Sequence, residues 1–185
     1  RYLIEAQLGA GAMGRVYRAR HVKVGREVAI KVLRADLVRG TRIVERFARE
    51  AEVAARLQHP NVVGVVDVGT TPAGEQLMVM ELAPGVPLAE LVGAPMPRDR
   101  VVALLAQLLR GLSHAHAAGV VHRDLKPDNV LVDRRAGDHA RIVDFGIAVL
   151  RDGGGAPAGG RLTDAGLVVG TPMYMAPEQA RGKAI

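Results

Sequence analysis

Three glycines, a lysine and a carboxylate near the start of the chain are the first residues whose types and spacing could do chemistry. Gly9, Gly11 and Gly14 stand at G-x-G-x-x-G spacing within Leu8-Gly9-Ala10-Gly11-Ala12-Met13-Gly14-Arg15-Val16. Lacking Cβ atoms, they let backbone amides approach phosphate oxygens. A glycine-rich hairpin turn is the plainer reading, so context has to decide. A Walker A loop would continue with Gly-Lys-Ser/Thr, but Arg15-Val16 follows Gly14. A dinucleotide-binding fold would open a helix there, whereas Val16-Tyr17-Arg18-Ala19 and Val28–Leu33 alternate like strands. Lys31 belongs to the second of these runs. Alternation puts Val28, Ile30 and Val32 on one strand face and Ala29 and Lys31 on the other, beside a residue small enough to roof a flat base. The carboxylate is Glu50. Ile43, Phe47, Glu50, Ala54 and Leu57 fall on one helical stripe, so Glu50 sits in an apolar face, while Arg46, Arg49 and Glu52 point elsewhere. A buried carboxylate is costly unless paired. Lys31 is the expected partner, in an ion pair that would fix its ammonium on phosphates; an ordinary structural ion pair is the alternative.

Positioning these groups takes a small strand-rich unit. The pattern predicts strands at Tyr2–Leu8, Arg15–Arg20 and Glu27–Leu33, with Gly25 in the second turn. A helix is expected over 42–57, closed by His59-Pro60-Asn61. Two further strands follow near Val65–Val68 and Gln76–Glu81, then Pro84-Gly85 as a hinge. A long helix is predicted from about Arg98 to Ala118, with Val101, Leu105, Leu108, Leu112 and Ala115 on its buried stripe and Gly119 as its stop. The rest reads as loop and short strand, including a low-complexity stretch over 153–160. The implied architecture is α+β and bilobal, with a cleft between the lobes as the ligand site.

The second half carries the specific signal. His122-Arg123-Asp124-Leu125-Lys126-Pro127-Asp128-Asn129 resembles the catalytic loop of protein kinases. Asp144-Phe145-Gly146, after the apolar Ile142-Val143, resembles their D-F-G motif. Gly170-Thr171-Pro172-Met173-Tyr174-Met175-Ala176-Pro177-Glu178 is similar to the end of their activation segment. The glycine run bridging two strands fits the same family. The wording around the motifs looks most like bacterial Ser/Thr protein kinases of the eukaryotic type, and the resemblance runs the length of the chain. It implies a bilobal kinase fold, with an N-lobe over 1–83 and part of a C-lobe over 84–185.

The resemblance also implies roles. Asp124 would orient the attacking hydroxyl and accept its proton, and Lys126 would neutralise charge on the migrating phosphoryl group. Asn129 and Asp144 would hold Mg²⁺, with Mn²⁺ as a substitute, and Thr171 would bridge Asp124 and Lys126. ATP would lie among Leu8, Gly9, Gly11, Gly14, Val16, Ala29 and Lys31. Met80 would stand as gatekeeper, and Glu81 and Ala83 would offer backbone hydrogen bonds to the adenine. Lys126, two residues after the Asp, is the Ser/Thr form of the loop. An Arg directly before the base wants an anionic partner, which makes Thr163 the candidate autophosphorylation site. Ala12 departs from the pattern, since bacterial members frequently have Gly there. Helices below the catalytic loop and the Arg that pairs with Glu178 would lie beyond this stretch. By itself it is therefore expected to be poorly stable, with its activity in isolation left open.

Composition narrows the competing readings. Hydrophobic residues make up 49% and charged residues 24%, as in a soluble globular protein. The absence of Cys excludes disulfides and thiolate metal sites. The net charge of +6 could signal nucleic acid. However, the basic residues are scattered among acids, and aromatics for base stacking are only 3%. The expected partners are therefore proteins bearing Ser or Thr, without nucleic acid or membrane contact from this segment; similar bacterial kinases also dimerise through the N-lobe. No signal peptide or membrane span is visible, which makes a cytoplasmic location the default, with any membrane anchor of the parent outside this segment. A pseudokinase typically loses one of Lys31, Glu50, Asp124, Lys126, Asn129 or Asp144, and all six are intact. Small-molecule phosphotransferases of similar fold usually lack the Leu-Lys-Pro and the Ala-Pro-Glu segment.

Overall fold

The structure, a computed structural model, describes residues 1–11, 14–34, 51–145 and 172–180. Glu50, Gly146, Thr163 and Thr171 lie outside the described residues, as do most of the helix expected over 42–57 and the tip residues Ala12 and Met13.

Alternating sequences in the first 81 residues build an antiparallel five-stranded sheet in the order β1-β2-β3-β5-β4. Its strands are β1 (Tyr2–Gly11), β2 (Gly14–His21), β3 (Glu27–Leu33), β4 (Val65–Thr70) and β5 (Gln76–Glu81). β1 and β4 run further than the sequence suggested, because β1 continues through two register irregularities into the glycine run. The alternation on β3 is realised. Val28 and Ile30 pack with Ala19 and Val79 on one face of the sheet. On the other, Ala29 and Leu33 pack with Met78, Met80, Val63 and Ala51. Residues 51–54 are helical, and Ala54 and Leu57 are buried as expected while Glu52 is exposed. The sheet's outer strands meet at one corner, where the Tyr2 hydroxyl donates to Asp67 (3.3 Å) and Arg1 pairs with the same carboxylate at 2.8 Å.

Beyond residue 84 a second sheet joins β6 (Val86–Pro87), β7 (Val130–Asp133) and β8 (His139–Ile142). Its three-strand pairing was not foreseen in a stretch read mainly as loop. Gly85, in the expected hinge, is pressed onto β7: at φ +118°, a Cβ there would come within 2.6 Å of the Val132 carbonyl. A short helix α1 (Leu88–Leu91) leads to α2 (Arg98–Ala117), and α3 (Pro177–Ala180) lies near the end of the chain.

Helix α2 ends as Gly119 predicts. Gly119 takes φ +74°, its N–H donates to His116 O, and Val120 N–H donates to Ala115 O, both at 2.9 Å. This paired closure satisfies carbonyls that the helix end would otherwise orphan. The expected stripe is realised in part, with Leu108 and Ala115 buried and Leu112 packed against the core. Leu104, Leu108, Gly111 and Ala115 face the core, whereas Val101 and Leu105 are exposed. Apolar residues occupy more than one side of this helix, so in its first turns periodicity alone favoured a stripe rotated from the one that packs on β8. Gly111 allows the close approach, since a Cβ there would meet Asn61 O at 3.1 Å.

Asn61 was read only as part of a helix breaker, but it is a buried junction. Its Nδ2 donates to Ala140 O (2.8 Å) and Gln107 Oε1 (3.1 Å), and its carbonyl accepts from Ile142 N–H (2.9 Å). Gln107 completes the tie by accepting from Ala140 N–H at 2.9 Å and donating to Asp138 O at 3.0 Å. Arg100 grips Asp138 with two hydrogen bonds of 2.7 and 2.9 Å. Together these bonds fix α2 and the 59–63 loop to β8, the strand that delivers Asp144. Among the described residues no helix is long and apolar enough to cross a membrane.

Candidate active site

Lys31 reaches the site from the centre of the five-stranded sheet, its neighbours on β2 and β5 being Val16 and Met78. It is 6% exposed, and its ammonium lies 2.7 Å from Asp144 Oδ2. Among the described residues its partner is Asp144, from the segment after β8; the expected partner, Glu50, lies outside them. A buried ammonium needs a counter-charge, and Asp144 supplies it.

Asp144 is delivered by β8 and held from behind. Val143 N–H donates to Asn129 O at 3.0 Å, and Val143 O accepts from His122 Nε2 at 2.9 Å. His122 is buried, and its ring meets Phe145 edge-on with centroids 4.7 Å apart. Its Nδ1 accepts the Asp124 backbone N–H at 3.3 Å. With Nε2 donating and Nδ1 accepting, the neutral tautomer is fixed. Burial pushes the His122 pKa below the ordinary imidazole value, against the opposing pull of its Val143 bond and of Asp144 and Asp124. In the sequence His122 stands only as the first residue of the catalytic-loop motif. The structure makes it the strut between the two acidic residues.

Asp124 and its neighbours form one cluster. Asn129 Nδ2 donates to Asp124 O (2.8 Å) and, more weakly, to Asp124 Oδ2 (3.4 Å). Lys126 Nζ lies 3.7 Å from the same Oδ2. A 3-10 turn, Pro127–Asn129, returns the chain into β7 so that Asn129 points back at Asp124. Two residues here adopt left-handed backbone without being glycine: Arg123 at φ 60° and Asp144 at φ 66°. Each stores a modest strain, of the kind that gathers at functional sites.

The glycine run behaves as two kinds of residue. Gly14 has φ +153°, and a Cβ on it would fall 2.0 Å from Val32 O, so packing against β3 demands glycine. Gly9 and Gly11 would meet nothing within 4 Å. Among the described residues no neighbour requires their lack of a side chain. Leu8 is exposed and Val16 packs beside the Ala29 cluster. Met80 is buried on the Lys31 side of the sheet, and Leu82 and Ala83 pack against the same cluster. The Glu81 N–H is taken by Gly64 O (3.0 Å), and its side chain turns away to Arg26 and Arg141.

The structure thus brings together Lys31, Asp144, Asn129, Asp124 and Lys126, with Ala29, Val16, Met80 and Ala83 lining the sheet side. Arg141 and Glu81 form a further ion pair behind Met80 that the sequence did not signal.

Residues 2–185 match the protein kinase domain family. The chain is similar to the serine/threonine-protein kinase pkn3 of Myxococcus xanthus, 44% identical over all of this chain and 34% of that protein. It is also 40% identical to PknB of Mycobacterium tuberculosis, over 100% of this chain and 29% of that protein. The chain therefore spans about a third of the length of these curated relatives. A crystal structure of a double-mutant Mycobacterium tuberculosis PknI kinase domain superposes with a TM-score of 0.79 at 30% identity, covering 100% of this chain and 67% of that one. The fold, the motifs and these matches agree: the chain belongs to the protein kinase family, in its bacterial, eukaryotic-like Ser/Thr branch.

Proposed function

We propose that this chain is the ATP-handling and phosphoryl-transferring part of a Ser/Thr protein kinase, moving the γ-phosphoryl group of Mg-ATP to a protein hydroxyl. The observation that carries the reading is the joined cluster of Lys31, Asp144, Asn129, Asp124 and Lys126. It sets a cation, a pair of hard oxygen donors and a base around one space.

The donor set suits Mg²⁺. Asp144 offers a carboxylate, and the hydrogen bonds of the Asn129 side chain run through Nδ2, leaving its amide oxygen for a cation. When bound, Mg²⁺ would supply positive charge to the β- and γ-phosphate oxygens. Lys31, already placed beside Asp144, holds the ammonium that grips the α- and β-phosphates. Gly9 and Gly11 leave the room over the phosphates that side chains would take. Ala29 roofs the adenine, Met80 backs it, and the Glu81 carbonyl and Ala83 N–H face its edge.

Asp124 orients the incoming Ser or Thr hydroxyl and takes its proton. The hydroxyl oxygen bonds to the γ-phosphorus as the bond to the β–γ bridging oxygen breaks, and ADP leaves. Lys126 offsets charge on the group in transit. A phosphate on Thr163, as the anionic partner that Arg123 wants, would be the activating modification in this reading, and Thr171 would bridge Asp124 and Lys126.

The test is covalent phosphate by intact-mass spectrometry after incubation with ATP and Mg²⁺, beside an Asp144→Asn control. The complete kinase domain is assayed in parallel. Phosphate on the wild type and none on the control is the expected result, with peptide mapping to locate Thr163. A complete domain that binds ATP yet never transfers phosphate, to itself or to a Ser/Thr protein, would overturn the reading.

A further inference from the structure

The 59–63 loop contains a histidine whose task lies outside phosphoryl transfer. His59 Nδ1 accepts the Asn61 backbone N–H at 3.1 Å, and His59 O accepts from Val62 N–H at 3.0 Å. A ring nitrogen that accepts must be unprotonated, so the neutral ring carries its proton on Nε2. The ring stacks on His114 of α2, with centroids 5.2 Å apart and planes 30° from parallel. The loop it shapes is bonded to β8 on both sides of one residue: Ile142 N–H donates to Asn61 O, and Val63 N–H donates to Ile142 O, each at 2.9 Å. Two residues later the chain reaches Asp144.

We propose that His59 is an acid-sensitive latch, whose neutral ring holds the 59–63 loop and through it β8, and whose protonation releases that hold. Protonating Nδ1 turns the acceptor into a donor facing the Asn61 N–H, so the bond cannot survive. The new charge also stands against a second imidazole. From α2 the ring faces His114 and Arg110. It also lines a cavity of about 390 Å³ shared with Arg26, Glu81 and Arg141. Glu81, the carboxylate in that lining, is engaged by Arg26 and Arg141. These surroundings oppose a charged ring. Burial first, then His114 and Arg110, hold the His59 pKa below the ordinary imidazole value. The sign follows: the hold is complete above that ordinary value and decays as pH falls below it towards the folded-state value.

Hydrogen exchange tests this without reference to phosphoryl transfer. Residues 59–63 and 139–143 are followed at pH 7.5 and 5.5 in the full-length protein, after correction for intrinsic exchange. Wild type is expected to lose protection at the lower pH, by up to about tenfold for each pH unit. The His59→Asn variant keeps an acceptor for the N–H two residues on but cannot titrate, and its protection is expected to be the same at both pH values. Wild-type protection that does not change, or an equal loss in His59→Asn, overturns the latch. Within the wild type, the Asn61 amide resonance should follow the His59 ring through its titration. An amide that stays still while the ring titrates overturns the proposal independently of any variant.

Discussion

The glycine hairpin and the catalytic loop are built on opposite plans. Around Gly9 and Gly11 the described residues leave open space, and Leu8 beside them is 53% exposed. From His122 to Asn129 the loop is tied inward by the His122 and Asn129 side chains, which are hydrogen-bonded and only 2% and 8% exposed. A segment that covers a ligand which comes and goes gains from having few internal contacts, because those contacts define how readily a region opens. Groups that steer a proton and a phosphoryl transfer gain from being held before the substrate arrives. The difference teaches where each kind of mutation should register: binding in the hairpin, rate in the loop, stability at the joints between them.

Mutations can break that division. The largest effect is expected from Asp144→Asn, which removes the carboxylate from Lys31 and, in the proposed function, from the metal; phosphoryl transfer should then fall on the order of 10³-fold or more. Asp124→Asn should cost about 10²–10⁴-fold in kcat, with the KM for ATP little changed. If that KM rises in step, the loop is binding as well as steering, and the comparison fails.

Within the hairpin itself the glycines should separate. Gly14→Ala forces a Cβ onto Val32 O and should destabilise the fold by about 1–3 kcal/mol, read by thermal unfolding. Gly9→Ala and Gly11→Ala should leave the unfolding midpoint almost unmoved and raise the KM for ATP. Equal loss of stability at all three positions would erase the distinction between packing and ligand-facing glycines.

Two smaller effects probe the joints. Gly119→Ala places a side chain at φ +74° and should cost about 1–2 kcal/mol. Arg100→Gln should lower the unfolding midpoint only slightly, since the pair with Asp138 is partly solvated. Its value lies in pH dependence. Hydrogen bonding from Arg100, chiefly, holds the Asp138 pKa below the usual carboxylate value. The pair's contribution is therefore present above that usual value and lost as pH falls through the depressed one, so wild type and variant should converge in strong acid.

Much of the site was legible because its residues are fixed by local spacing. Strand alternation placed Lys31 beside Ala29, and the catalytic-loop motif set Asp124, Lys126 and Asn129 within one turn. The rest depended on choices between equivalents. Sequence spacing pointed Lys31 at Glu50, and only the spatial arrangement shows Asp144 at 2.7 Å from its ammonium. The α2 stripe was legible at Leu108, Leu112 and Ala115 but not at its first turns, because Val101 and Leu105 are as apolar as Leu104 and the pattern there fits more than one rotation. Asn61 looked like any turn residue. Its role comes from Gly111 and Gln107, tens of positions away, and local pattern carries no trace of such a partnership.

The left-handed backbones of Arg123 and Asp144 carry a consequence for anyone who would evolve this protein. Glycine at either position would relieve the strain but would also give the unfolded chain more freedom to lose on folding. At Asp144 it would in addition leave the buried Lys31 ammonium without its carboxylate. A library screened for heat resistance would therefore find relief at Arg123 sooner than at Asp144, and survivors should be counted by turnover as well as by melting point.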